Sequence, residues 1–541
     1  MQNIYDCVSP LDFRYYGADP QVFERVQPYL SEAAFIKYQA RAERALVLTF
    51  FDLGWCPSPL SNEILEACDV VTADEVYEEE KKTGHVVRAL VNCIARKVSG
   101  EAGRFVHLFA TSADITDTAS ALRFQEFVRD ILLPDLLDFQ TTLIKLAREH
   151  AKTPQIGRTH GQHAEPITFG FSIALYVDRL GGRIQLLEDT RQKLPGQLSG
   201  AVGAYNALSL QLPRGAVMFE KIFLSHLGLQ PAPGSISSQV VQPEHITDLG
   251  YAAHSCFSVL ANLADDIRHL HRSEIGEVQE QYSAETVGSS TMPHKLNPKN
   301  FENIKGMWKA FAPRITTLLM DQISEHQRDL TNSASQRFLP ELFVALDYCI
   351  GRLNRAMGEL RINKEAMRNN LEVSKEHIVA EPLYILLALQ GYGEAYEKVR
   401  ALARKAREGS RRLIDLASED ADIGPRLKGL KPEHLKILED PIKYTGQAQE
   451  RTFAVCDQRE SEICQLREYL KEEKEVLSTA KTERFGSMYE QLRALEAGAP
   501  APKGFCPAEN RKKVLEAWIE EAKLNKQLTN NIVELKQGVN S

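Results

Sequence analysis

The segment VGSSTMPHKLNPKNFEN, Val287 to Asn303, holds a glycine, two serines, two prolines, two lysines and three asparagines, and few residues fit for a core. Pro293 and Pro298 forbid a continuous helix, since each lacks a backbone N–H and crowds the preceding turn. Gly288 allows a sharp bend. Ordering such a segment costs entropy with little burial in return, and loops of this kind disproportionately carry function. Lys295 and Asn297 could meet a carboxylate as cation and amide donor. Ser289 or Ser290 could act as nucleophile or base if its proton were lost into a positive environment. The plain alternative is a polar surface loop.

A second cluster lies in GRTHGQHAEPITFG, Gly157 to Gly170. His160 and His163 are three apart, a spacing that could ligate a metal on a helix, but the glycines and Pro166 argue against a regular helix. Beside Arg158, Thr159, Gln162 and Glu165 the two imidazoles form a polar group suited to acid–base work, although a histidine more often satisfies an internal hydrogen bond. In HLFATSADITDTA, His107 to Ala119, Thr111 and Ser112 put hydroxyls just before a helix that Asp114 or Thr116 could cap. Helix starts attract anions, and the alternative is that these residues only cap. In QRDLTNSASQR, Gln327 to Arg337, two arginines nine apart flank Ser333 and Ser335. If the segment folds back, Arg328 and Arg337 could converge on a phosphate; otherwise they are surface ion-pair groups. Arg14 and Tyr15 make a similar, weaker proposal.

Long helices would have to position these groups. A long helix is expected from about Ile246 to Ile275, where the apolar positions Ile246, Leu249, Ala253, Cys256, Leu260, Leu263, Ile267 and Leu270 follow a heptad-like seam. Similar long segments are expected over Asp117–His150, Phe301–Ile323 and Leu339–Leu360. Long seams need long partners, which predicts a helical bundle and copies of the chain to bury what one chain leaves open. Ser31 is the expected cap of an amino-terminal helix, and Asp74 that of another, which should break near Gly84. After residue 370 the texture changes to short helices, then a turn-rich stretch around Gly424 to Pro441, polar helix, a linker at GAPAPKGFCPAENR and a last amphipathic helix with Leu515, Trp518, Ile519 and Ala522 on one side. The reading is all-α with three domains: 1–110, a central long-helix bundle over 111–365, and 366–541 with an extended tail.

The chain has 541 residues, 65 Lys plus Arg against 73 Asp plus Glu, a net charge of −8, which argues against a general nucleic-acid binder. No amino-terminal signal pattern and no run of apolar residues long enough to span a bilayer is visible. The nine cysteines form no CxxC pair, and zinc lacks its usual ligand spacing; a reducing, cytoplasmic setting is expected.

Taken together, GSSTMPHKLNP, SPLDFRY, KTGHVV, TSADITDTA, GRTHGQHAEPITFG, LSGAVGAYNA, SSQVVQPEH and QRDLTNSASQR resemble, in order over roughly residues 9 to 410, the fumarase/aspartase superfamily. RTHGQHAEP and QRDLTNS favour its adenylosuccinate-cleaving branch. The resemblance implies a helical three-domain subunit and a homotetramer whose active sites draw on three subunits. It also implies fumarate elimination from a succinylated purine nucleotide or its ribotide precursor, with no metal or other cofactor. It assigns Ser289 as base and His160 as acid, with Glu302 orienting a catalytic histidine. Thr111, Ser112, Gln239, Lys295 and Asn297 would hold the succinyl carboxylates, and Arg14, Tyr15, Arg328, Ser333 and Arg337 the phosphate. His85 would lie near the phosphate side and support the acid.

Two features depart from the family. Val86 follows His85 where an acidic residue is common, and about 100 residues beyond 440 have no match. The tail could cover the site, enlarge the oligomer surface, bind another protein or merely decorate the fold. Another fumarate-releasing lyase, such as one acting on argininosuccinate, and a non-catalytic helical scaffold are the alternative functions.

Overall fold

Residues three and four apart share one face of a helix, so the seam at Leu249, Ala253, Cys256, Leu260, Leu263 and Ile267 should be buried as a stripe. In the computed structural model all six are buried, on the 27-residue helix Glu244–Leu270. The structure describes residues 9, 11–15, 19–283, 285, 288–323, 326–409, 411–478, 486–498 and 519–520. All but the first residue of the GAPAPKGFCPAENR linker (498–511) and most of the last amphipathic helix lie outside the described residues; Ile519, within them, is buried.

The amino-terminal region contains α1 (Glu32–Asp52), whose cap is Ser31, accepting the Ala34 N–H at 3.0 Å. The next predicted cap was misplaced: Thr72, not Asp74, starts the helix Ala73–Thr83, because Thr72 and Glu75 form a reciprocal capping box. It ends at Gly84, and α2 (Val86–Ala95) follows at once.

The central region begins with α3 (Ser112–Phe127), passes a π-helical turn at Val128–Leu132 and continues as α4 (Leu133–Glu149). Pro134 sits in the first turn of α4, where its missing N–H costs least. A two-stranded antiparallel hairpin, β1 (Pro154–Thr159) and β2 (Gln162–Thr168), leads into α5 (Phe169–Arg191). Then come α6 (Ala216–Ser225), α7 (the Glu244–Leu270 helix), α8 (Lys299–Phe311) and α9 (Ser333–Gly358). The helix expected over Phe301–Ile323 is broken: it stops at Phe311 and resumes as Arg314–Met320, since Pro313 cannot continue the hydrogen-bond ladder. Helices α4, α5, α7, α8 and α9 pack side by side around one apolar core.

A second core, around Leu383, Leu387, Val399, Ala417 and Ile423, lies beyond α10 (Lys364–Ile378), and α11 (Ala380–Leu389) belongs to it. The chain then returns to the bundle. α12 (Ala448–Ser478) runs along α4 and α5, burying Cys456, Ile463 and Leu470 at heptad spacing. α13 (Gly486–Glu496) packs on α6. The described residues are overwhelmingly helical, and the all-α class holds.

Candidate active site

Thr111 and Ser112 stand at the amino-terminal end of α3, where unpaired N–H groups and the helix dipole favour an anion. The cap differs from expectation. Thr111 occupies the N-cap position, and Asp114 reaches back to its N–H at 2.8 Å. Asp114 is fully buried and also accepts the N–H groups of Ser199 at 2.9 Å and Gly200 at 3.2 Å. Burial pushes its carboxyl above the ordinary value, against the pull of these donors. One side chain thus ties the helix start to the LSGAVGAYN turn. His85 joins the same shelf. As N-cap of α2 its Nδ1 accepts the Arg88 N–H at 3.3 Å, so the neutral ring carries its proton on Nε2, which donates to Ser112 Oγ at 3.2 Å. With Val86 next to it, His85 is oriented by its own helix rather than by a neighbouring carboxylate.

The Gly288 loop is stitched to itself. Asn297 Nδ2 donates to Gly288 O at 2.9 Å, and Lys295 N to Met292 O at 3.0 Å. A Cβ at residue 288 would lie 2.0 Å from the Lys295 carbonyl oxygen, so only glycine lets the strands of the loop meet. Ser289 Oγ accepts the N–H of Met292 at 3.1 Å and of Thr291 at 3.4 Å. Donors aimed at an oxygen stabilise its anion, which is what a serine base requires. Lys295 is exposed, and Glu302 is exposed in the first turn of α8. Within the described residues the Glu302 charge reaches the His271 imidazole, which burial holds below the usual range.

His160 and Gly161 form the tip of the β1–β2 hairpin. Both have positive φ, 54° and 73°, the type I′ geometry that a two-residue hairpin prefers. His160 is exposed and makes no hydrogen bond among the described residues. His163 differs: its Nδ1 meets Ser374 Oγ of α10 at 2.6 Å, and burial, then Arg158, lower its pKa. The hairpin is anchored by Glu277, fully buried, which accepts from Arg158 at 2.6 Å, Gln155 at 2.7 Å and Asn370 at 2.8 Å. A hydrogen bond with Glu381 of α11, then burial, push the Glu165 carboxyl up to about 7, and Tyr444 donates to Glu381 at 3.0 Å.

Arg328 and Ser333 line a common cavity of about 170 Å³ with Thr116, Ser120, Asn332 and Gln336. Arg328 Nη1 donates to Gln239 Oε1, joining one predicted carboxylate ligand to one predicted phosphate ligand. Half-buried Asp117 lines the same cavity, and burial pushes its carboxyl up to about 6. Arg337 lies instead within electrostatic reach of Tyr77, on the amino-terminal helix Ala73–Thr83. Tyr15 packs edge-on against Tyr348 at 5.3 Å, which sets Arg14–Tyr15 roughly 22 Å along α9 from Ser333 at 1.5 Å per residue.

A single chain therefore joins His85 to Ser112 and Gln239 to Arg328. Among the described residues no hydrogen bond or ion pair joins His160, Ser289 and the Thr111 shelf to one another. Asp114, Glu277 and Glu220 were not read as functional from sequence. Only Asp114 carried a local signal, the T-x-x-D pattern of a capping box. No cluster of three or more metal-ligating side chains occurs among the described residues.

Residues 14–310 match the family described as Lyase, and residues 324–435 match Adenylosuccinate lyase C-terminal. The adenylosuccinate lyase of Pyrococcus horikoshii is 36% identical over 449 residues, covering 82% of this chain and 96% of the relative. That of Aquifex aeolicus is 34% identical over 424 residues, covering 76% and 93%. Among solved structures, a 3-carboxy-cis,cis-muconate lactonizing enzyme from Pseudomonas putida superposes with a TM-score of 0.69 at 25% identity, over 84% of this chain and 99% of that one. With the motif segments on the page and relatives aligned almost end to end, the chain belongs to the adenylosuccinate lyase family of the fumarase/aspartase superfamily.

Proposed function

We propose that this chain eliminates fumarate from adenylosuccinate to give AMP, and from the succinylated aminoimidazole carboxamide ribotide to give the free carboxamide. Ser289 removes the proton from the carbon beside a succinyl carboxylate. The electron pair spreads into that carboxylate as an enediolate-like dianion, then expels the nitrogen, which His160 protonates. Lys295 supplies the cation that lowers the cost of both the serine alkoxide and the dianion. Thr111, Ser112, Gln239 and Asn297 hold the carboxylates. Arg328, Ser333 and Arg337, with Arg14 and Tyr15, hold the phosphate. His85 supports the acid, and Glu302 orients the histidine that a neighbouring copy brings to it.

The reading is of a homotetramer with composite sites, because His160 sits unpartnered at a hairpin tip and Ser289 on an exposed loop. The observation that carries the chemistry is the pair of backbone donors on Ser289 Oγ. The Arg328–Ser333 cavity favours a phosphorylated substrate over argininosuccinate, which has no phosphate. The test is incubation of the purified protein with adenylosuccinate, following fumarate and AMP. Both should appear in equal amounts. Turnover of argininosuccinate without turnover of adenylosuccinate would reverse the assignment.

A further inference from the structure

Beyond residue 435, where the matched family regions end, the chain continues through α12 and α13. We propose that this carboxyl-terminal strap positions the Thr111–Ser112 shelf, with Leu492 and Glu496 as its positioning residues. The proposal rests on the substrate-binding role given to that shelf above.

The strap is built into the body rather than laid over it. Arg191 of α5 is fully buried between Glu188, at 2.6 and 2.7 Å, and Glu473 of α12, at 2.6 and 3.0 Å; Glu473 is fully buried too. Gln192 donates to Tyr469 Oη at 3.0 Å. Farther on, the body has glycine where the strap presses closest. A Cβ at residue 228 would lie 2.4 Å from Leu477, and one at residue 215 would lie 2.3 Å from Leu492 and 2.9 Å from Glu496 Oε1. Leu492 is buried there, and Glu496 accepts the Arg214 N–H at 2.9 Å.

Gly215 is the residue on which α6 begins. Glu220, buried on α6, accepts the Leu198 N–H at 2.8 Å and the Tyr205 hydroxyl at 2.7 Å. The turn between those two residues gives the Ser199 and Gly200 N–H groups to Asp114, which holds Thr111. Every link from Leu492 to the shelf is a buried contact or a hydrogen bond of ordinary length. A strap that only added stability would not need to bear on the helix that carries Glu220.

The test uses the full-length protein with Leu492→Ala, Gly215→Ala and the conservative Leu492→Met. Leu492→Ala removes the wedge, and Gly215→Ala pushes it out with one methyl group. Both should raise KM for adenylosuccinate about five- to tenfold while kcat stays within about twofold, the pattern of lost binding rather than lost chemistry. In the same variants, without substrate, amide hydrogens of residues 198–205 should exchange faster. Leu492→Met should restore both readings. A lower melting temperature with unchanged KM and unchanged exchange would overturn the proposal, as would faster exchange with unchanged KM. Exchange is read without turnover, so failure of the lyase assignment, seen as an inactive parent protein, stays distinguishable from failure of the strap.

Discussion

The Thr111 shelf and the Gly288 loop, both proposed above to hold a dicarboxylate, are themselves held in opposite ways. The shelf is fastened from behind by a fully buried carboxylate that binds two separate chain segments at once. The loop is exposed over most of its length, and ahead of α8 its described residues are fastened by hydrogen bonds to one another. Buried polar groups are costly to leave unpaired, so the shelf has one geometry. Local, solvent-exposed bonds open cheaply, so the loop can rearrange around a substrate. The surface proposed to receive the substrate is rigid, and the segment proposed to deliver the base is free to close.

Three substitutions would break or sharpen this contrast. Ser289→Ala should lower kcat by about 10³-fold or more with assembly intact, since it removes a proton acceptor and, with it, only local ties within an exposed loop; equal loss of assembly, seen by size-exclusion chromatography, would make the loop structural. Asp114→Asn should cost about 2 kcal/mol of stability, because an amide N–H then faces N–H donors in a buried site. It should also raise KM more than it lowers kcat, and denaturant melts with steady-state kinetics would check both. Asn297→Ala should lower kcat/KM about tenfold and leave the melting temperature within about 1 °C, as expected for a half-buried stitch local to one loop.

The hairpin behind His160 is the intermediate case. Glu165 has a folded-state value of about 7 against an ordinary 4.5, so its contribution is fully present below about pH 4.5 and is lost as pH rises through about 7. The melting temperature of the parent protein should therefore fall, relative to Glu165→Gln, between pH 5 and pH 8. Parallel melting curves for the two proteins over that range would sink the idea.

Much of this was readable from the residues. The heptad seam was visible because burial on a long helix imposes a period on the sequence itself. The chemistry-bearing segments stood out because prolines, glycines and polar groups are costly anywhere but at a working loop. The hairpin was not foreseen as strands: seven residues of mixed polarity with Pro166 show no alternation, and its I′ turn uses His-Gly instead of the commoner Asn-Gly. Thr72 and Asp74, two residues apart, are equally good caps by type, and only the reach of Glu75 decides between them. Glu277 and Glu220 gave no signal, since their partners are brought to them by the fold; Glu277 and Arg158 are 119 residues apart.

Arg191 shows that one side chain can matter more at a joint than the joint's size suggests. Its guanidinium has no solvent exposure, and Glu473, in a segment past the matched family regions, supplies two of its four carboxylate hydrogen bonds. Replacing Glu473 alone keeps the cation buried with Glu188 as its single counter-charge, whereas cutting the whole segment away would return the cation to water.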